Sequence, residues 1–468
     1  MHPITSEAAG GEAVIAIFDV GKTNKKLFLF NRDYKIVYEQ SNPFPETMDE
    51  DGFPCENLES LRSFVFDALN EVSAKKEFDI KAVNFSTYGA SFVYLDDKGK
   101  PVAPLYNYLK PYPKHLQDKF YDTYGGEDKF SYKTASPVLG SLNSGMQLYR
   151  IKYEKPDLFK RIKYALHLPQ YLSYLLTGKF YSDITSIGCH TNLWDFQKND
   201  YHEWVYKEEI AEKLPAVISS TTVFPAVLTG ANYTAGTGLH DSSAALIPYL
   251  VCFNEPFVLI STGTWCISLN PFTQTPLTLN ELQHDCLSYL QYKGSAVKAS
   301  RLFAGNEHEE QVKKIADYFK QETDRYKTVE FNAGIIQLLK NKVVPVNISN
   351  TKELINKSLF ANRGLSQFAT YEEAYHQLIQ DIITQQQAST KLILQGTGVK
   401  KLFVDGGFSK NAIYMNLLAG AFADVEVFAA SMAQATSVGT ALAIHTSWND
   451  KPLPNDIIEL KKYAHQSD

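Results

Sequence analysis

One local device constrains this chain more than any other, and it occurs twice. Val14–Phe18 reads as a buried strand, Asp19-Val20-Gly21-Lys22-Thr23-Asn24 as a turn, and Lys26–Phe30 as a second apolar strand. The pattern restarts at Phe257–Ser261, turns through Thr262-Gly263-Thr264 and continues as Cys266–Leu269. A glycine-hinged hairpin carrying hydroxyl and amide donors suits the wrapping of phosphate oxygens. Two of them, each opening one half of a 468-residue chain, predict duplicated α/β architecture with two phosphate loops facing each other across a cleft. No repeat is visible residue by residue. The expected division is a domain over 12–248 and a second over 249–468, joined near Pro248.

The surrounding pattern supports a mixed sheet. Lys35–Glu39 reads as a third strand. Asn57–Ser73 carries Leu58, Leu61, Val65, Leu69 and Val72 at helical spacing, with Asn57 as N-cap, and Ile80–Phe85 returns as a strand. This βββαβ order differs from a simple Rossmann unit. Ser91–Leu95 follows as a further strand, and Leu142–Lys155 and Pro169–Thr177 read as helices. The second half shows helices over Glu309–Phe319 and Tyr371–Gln385. A strand over Lys401–Val404, the turn Asp405-Gly406-Gly407 and a helix from about Asn411 close the series.

Several residues carry chemistry in this frame. Gly21-Lys22-Thr23 is not a P-loop, because Ala16 stands where that motif needs its first glycine and a strand, not a helix, follows. Asp19, ending a buried strand, is placed either to hold Mg²⁺ through water or to cap a turn. Gly236-Thr237-Gly238-Leu239-His240-Asp241 leads into a helix of small residues, so Asp241 is either a helix-start carboxylate or a general base at the cleft. His240 alone reads as structural. Asp405-Gly406-Gly407 is an ordinary βα turn or a close approach of backbone to a nucleotide. His308-Glu309-Glu310 is not HExxH, no cysteine–histidine group has zinc-ligand spacing in sequence, and no GxSxG elbow occurs.

Composition narrows the partners. A net charge of −6 provides no basic footprint, so neither nucleic acid nor an anionic membrane is expected as a partner. Five scattered cysteines without CxxC spacing fit a reducing cytoplasm, the expected location. The first apolar run stops at Asp19, unlike a signal peptide, and Ala244–Phe253 is too short to cross a bilayer.

Taken in order, these pieces resemble the FGGY carbohydrate kinase family of the actin-like ATPase superfold, from about residue 13 to 445. Asp19-Val20-Gly21-Lys22-Thr23 is similar to the opening D-x-G-T-T, with Lys26 in the place of a basic residue. Leu166–Leu172 through Leu176-Thr177-Gly178 looks like L-P-x-Y-L…L-T-G, and Gly238-Leu239-His240-Asp241 like the loop of the catalytic base. Ser261-Thr262-Gly263-Thr264 resembles the second phosphate loop. Asp405-Gly406-Gly407 with Asn411 resembles G-G-x-x-x-N, and Gln434–Ala441 the closing E-A-T-A-x-G-x-A. The His-Asp pair, Gly263-Thr264-Trp265 and the segment Ser86–Asp96 look most like the rhamnulokinase and fuculokinase side.

The resemblance implies two actin-like, ribonuclease H-like domains, each a mixed βββαβα sheet flanked by helices, and phosphoryl transfer from ATP with Mg²⁺ to a small sugar. Asp241 would be the base and Asp19 would serve the metal. Gly21, Lys22, Thr23, Asn24 and Lys26, with Gly263 and Thr264, would grip phosphates. Gly406, Gly407 and Asn411 would line the adenosine site, and Tyr88, Gly89, Ala90, His240 and Asp241 the sugar site. L-Rhamnulose or L-fuculose, phosphorylated at O1, is the expected substrate type, and a homodimer is the assembly to test. Ser86 and Ser91 replace acidic residues, Tyr106-Asn107-Tyr108 stands where Y-R-D is expected, Phe408 replaces a glycine and Gln434 a glutamate. A non-kinase ATPase of the same superfold and a sugar-binding regulator are the alternatives.

Overall fold

The structure, a computed structural model, describes residues 10–22, 24–42, 44, 46–273, 275–342, 348–432 and 434–464. In the first half, β1 (Glu12–Val20), β2 (Lys25–Asn31) and β3 (Ile36–Asn42) form an antiparallel meander. Helix α1 (Leu58–Ala74) crosses over, its first amides accepted by the Asn57 side chain. β4 (Phe78–Thr87) then pairs parallel to β1. Beyond β4 lie β5 (Val223–Pro225) and β6 (Thr234–Gly236), and β7 (Leu239–His240) pairs with the end of β4. β1 is buried on both faces, hence its unbroken apolar run. Val14, Ala16 and Phe18 share a core with α1, where Phe18 meets Phe64 edge-on at 5.6 Å. Ile15 and Ile17 belong to a different core.

The second half repeats the plan. β8 (Phe257–Thr262) and β9 (Cys266–Asn270) make the hairpin, and β10 (Cys286–Leu290) and β11 (Ala296–Leu302) extend it antiparallel on the β9 side. After α2 (Ala304–Phe319) and α3 (Tyr371–Leu394), β12 (Lys401–Gly406) pairs parallel to β8. α4 (Ala412–Ala421), β13 (Glu426–Ser431) and β14 (Glu459–Tyr463) complete the sheet. The helices read at 309–319 and 371–385 are longer than their periodicity indicates: α2 starts at Ala304 and α3 runs to Leu394. β10 and β11 escape a pattern reading because Ser288, Ser300 and Lys298 are buried in them, which breaks the apolar signal. Lys298 is neutralised there by Glu281 at 2.7 Å.

Two helices cross between the halves. One, Asp241–Cys252 (the Asp241 helix), contains Pro248 yet runs unbroken. Its Leu246 and Tyr249 pack with Phe257, Leu259 and Phe403 of the second sheet. The other, Ala435–Ala443 (the closing helix), sends Val438, Ala441 and Leu442 against Ile15, Ile17, Phe28 and Phe30 of the first. They meet at Gly439, where a Cβ would overlap the Ala244 carbonyl oxygen. That oxygen is the acceptor that Pro248, lacking an N–H, leaves free in the helix ladder. Among the described residues, no helix is long and apolar enough to cross a membrane.

Candidate active site

The Asp241 loop is built on glycine and two amides. Gly238 has φ +79° and its Cβ would lie 2.6 Å from the Pro169 carbonyl oxygen, so only glycine fits. Gln170 donates Nε2–H to the Gly238 carbonyl at 2.9 Å, and Asn84 Oδ1 accepts the Gly238 amide at 3.1 Å. This is the physical content of the Leu-Pro-Gln-Tyr segment: its helix, Leu168–Thr177, holds the loop from beneath. β7 then pairs with Ser86 and Thr87, which sets Asp241 at the carboxyl end of β4 as the first residue of its helix.

Asp241 Oδ1 accepts from the Ser242 amide at 2.6 Å and the Ser242 hydroxyl at 3.2 Å. Among the described residues no lysine or arginine pairs with it, and burial lifts its carboxyl from 3.8 to about 6. His240 Nε2 stands 3.5 Å from Asp241 Oδ1, but burial pulls the imidazole down to about 4, so it is neutral at pH 7 and forms no ion pair.

The proposed sugar-facing residues converge on this loop. A Cβ at Gly89 would lie 2.6 Å from the His240 ring, so glycine there is what admits the imidazole. Ala90 holds a left-handed backbone at φ +63°, and its carbonyl accepts Gln147 Nε2–H at 2.7 Å. Tyr88 is buried, its amide donating to Val20 O at 3.1 Å, with its ring 5.8 Å from that of Tyr108. Burial, then the negative charge of Asp241, raises the Tyr108 hydroxyl, which sets that ring near Asp241. Gln147, Asn84 and Tyr108 were not singled out by sequence. Only Tyr108 carried a signal, as part of the altered Tyr106-Asn107-Tyr108 segment.

Asp19 lies beside this group. Its Oδ1 accepts from Ser86 Oγ at 3.3 Å and its Oδ2 from Ser437 Oγ of the closing helix at 3.0 Å. Burial, reinforced by the charge of Asp241, raises its carboxyl from 3.8 to about 6 against the lowering effect of the two serines. Two desolvated carboxylates that repel each other, with only Lys26 as a weak opposing charge, are an oxygen donor set that fits a hard divalent cation such as Mg²⁺. The hairpin turn closes by Gly21 N–H to Asn24 O at 2.9 Å. Lys22 pairs with Glu46 at 3.3 Å and Lys26 with Glu39 at 2.8 Å, so both cations begin countered. Thr23 lies outside the described residues.

The second hairpin is braced differently. Gly263 N–H donates to Trp265 O at 2.9 Å, and Thr264 O accepts the Asn306 amide at 3.1 Å. A Cβ at Gly305 would overlap the Gly263 carbonyl. Thr262 Oγ1 donates to Asp405 O at 2.5 Å and accepts Phe408 N–H at 3.0 Å. Gly406, at φ +90°, approaches Thr262 too closely for a side chain, while Gly407 faces open space. Asn411 caps α4 through Oδ1 (Ile413 and Tyr414 amides, 3.0 and 3.1 Å) and donates Nδ2–H to Tyr375 at 2.8 Å. Phe408, where a glycine was expected, is buried on the Tyr414 ring at 4.5 Å. Gln434 takes a left-handed backbone, φ +58°, immediately before the closing helix.

The first half keeps the expected βββαβ order, while the second carries one extra strand, β10, at the edge beyond β11; the two related halves joined by exchanged helices define a two-domain α/β protein of the actin-like ATPase type. The N-terminal domain of the FGGY family of carbohydrate kinases matches residues 14–247, and the C-terminal domain of the same family matches 254–346. The chain belongs to the FGGY family of carbohydrate kinases. It is 23% identical over 303 residues to the L-fuculokinase of Escherichia coli strain K12, a match that covers 61% of this chain and 60% of that enzyme. It is 25% identical over 186 residues to a rhamnulokinase of Halalkalibacterium halodurans, covering 38% and 39%. The matches thus span less than two thirds of the length of these relatives. In fold it resembles a carbohydrate kinase from Novosphingobium aromaticivorans, with a TM-score of 0.80 and 21% identity over 98% of this chain and 95% of that one.

Proposed function

We propose that this chain transfers the γ-phosphoryl group of ATP to a hydroxyl of a small sugar, a ketose of the L-rhamnulose or L-fuculose type at O1. The observation that carries the reading is Asp241: a carboxylate without a cationic partner among the described residues, raised to about 6 by burial, next to His240, whose ring is admitted by Gly89. A carboxylate so placed is ionised at neutral pH and still basic enough to accept a proton from an attacking hydroxyl. His240, neutral, hydrogen-bonds the sugar without repelling it. Gly263 and Thr264, with Gly21, Lys22, Thr23 and Asn24, donate backbone and hydroxyl groups to phosphate oxygens, and Lys26 adds charge. Gly406, Gly407 and Asn411 form the adenosine wall, where the open face of Gly407 leaves room for a base. Asp19 would hold Mg²⁺, which when bound neutralises phosphate charge during transfer. The halves 12–248 and 249–468 would close on each other to keep water, a competing acceptor, away from the phosphoryl group.

An ADP-release assay over a sugar panel tests this reading. L-Rhamnulose or L-fuculose should give the highest kcat/KM, and ATP should raise the melting temperature more with Mg²⁺ than with chelator. A clear preference for glycerol or a xylulose would overturn the sugar assignment. No ADP release with any sugar would overturn the kinase assignment.

A further inference from the structure

We propose that Cys189, His190 and His240 form a binding site for a soft divalent cation, zinc by its ligand preferences, and that filling it withdraws His240 from the proposed sugar site and switches turnover off. One ligand atom from each of the three residues lies within 4.8 Å of the other two. An ion at their centre would sit at most about 2.8 Å from each, so shifts of under about 1 Å reach ordinary Zn–N and Zn–S lengths. The donor set is sulfur and imidazole, which selects zinc over the oxygen-seeking Mg²⁺ expected at Asp19.

The local structure prepares each donor. His190 lies 3.2 Å through Nδ1 from the Leu142 carbonyl, which fixes the Nδ1–H tautomer and leaves the Nε2 lone pair free. Its left-handed backbone, φ +41°, lets it converge with its neighbour Cys189 instead of pointing to the opposite side. His240 is 5% exposed, and its Nδ1 is buried with no hydrogen-bond partner. A metal on that Nδ1 leaves Nε2–H directed toward Asp241 Oδ1, 3.5 Å away, an arrangement of carboxylate, histidine and metal common at zinc sites. Cys189 is buried and its Sγ has no hydrogen-bond partner among the described residues. The nearby cation Arg301 is already neutralised by Asp285 at 2.5 Å. The cluster is invisible to sequence spacing because His240 comes fifty residues after His190.

Binding would deprotonate the Cys189 thiol, the proton passing to solvent, and would tie His240 and Asp241 into one rigid unit. The proton-accepting oxygen and the sugar-facing imidazole would then be withheld together. Switching rests on the sugar-kinase reading; binding does not, so the two are measured separately. The full-length chain, freed of metal by chelator, is titrated with Co²⁺ as a spectroscopic probe. One equivalent should give a thiolate-to-cobalt charge-transfer band, displaced by Zn²⁺. Cys189→Ser should abolish the band, and His190→Gln should weaken affinity by at least about 10-fold, which guards against a misfolded serine variant. In the presence of excess Mg²⁺ and ATP, stoichiometric Zn²⁺ should suppress sugar turnover in the parent chain and not in Cys189→Ser. Absence of the band in the parent chain, or its survival in Cys189→Ser, would overturn the site. Undiminished turnover in a zinc-saturated parent chain would overturn the switch.

Discussion

The two hairpins occupy equivalent places in their sheets, yet they distribute the same two groups in opposite ways. In the first half Asp19 on β1 sits directly across from Ser86 on β4; in the second, Ser261 on β8 sits across from Asp405 on β12. The acid has changed strands. Each acid is also reached by a hydroxyl from the helix that crosses over from the opposite half: Ser437 to Asp19 at 3.0 Å and Tyr249 to Asp405 at 2.9 Å. Asp405 further accepts its neighbour's amide, Gly406, at 2.7 Å. Asp19 instead faces a second carboxylate, Asp241. Duplicated architecture therefore keeps the backbone and the crossing contacts, while one copy uses its acid to brace a turn and the other sets it against a second carboxylate.

The largest expected effect sharpens that contrast at the base. Asp241→Asn should lower turnover on the order of 10²–10⁴-fold while sugar and ATP binding persist, because asparagine still suits a helix start. Near-normal turnover in a folded variant would reduce Asp241 to a helix-start residue. Next come the two strand acids. Asp19→Asn should cost on the order of 10²-fold in turnover and remove the extra thermal protection that Mg²⁺ gives to ATP. Asp405→Asn should change turnover by less than about 10-fold and cost about 1 kcal/mol of stability through its hydrogen bonds. Equal losses from both variants would erase the distinction between the halves.

A pH series reads the same asymmetry. Asp19 and Asp241 titrate near 6 in the folded chain and at 3.8 when unperturbed, so the folded state holds their protons more tightly. Their contribution to stability is thus greatest below 3.8 and is lost as the pH rises to about 6. With Asp241 as the proposed base, activity should rise through the same upper limit. Turnover that is flat from pH 5 to 8 would remove Asp241 from proton transfer. The last effect, on stability alone, lies at the crossing. Gly439→Ala, forced against the Ala244 carbonyl, should destabilise by about 1–3 kcal/mol and lower the melting temperature. An unchanged melting temperature would mean that the two helices can part without loss.

Much of this was legible in the sequence because it is local. The hairpins, the Asn57 cap, the βββαβ order of the first half and the start of the Asp241 helix all follow from spacing within a few residues. What could not be read depends on distance along the chain. Asn84 donates to Thr440 O, 356 residues away, at 2.9 Å while accepting from Gly238, and so ties the Asp241 loop to the closing helix. Ser437 belonged to a recognised motif, but nothing nearby in sequence marks it as the partner of Asp19. Phe408 looked like a defect in a glycine motif, and its burial on Tyr414 gives the substitution a packing role.

The closing helix also sets a timetable for synthesis. Ile15, Ile17, Phe28 and Phe30 leave the ribosome roughly four hundred residues before the segment from Val438 to Trp448 that covers them. At about 5–20 residues per second, that face of the first sheet stays uncovered for tens of seconds. The half of the molecule that is translated earlier is thus completed only by the half translated after it.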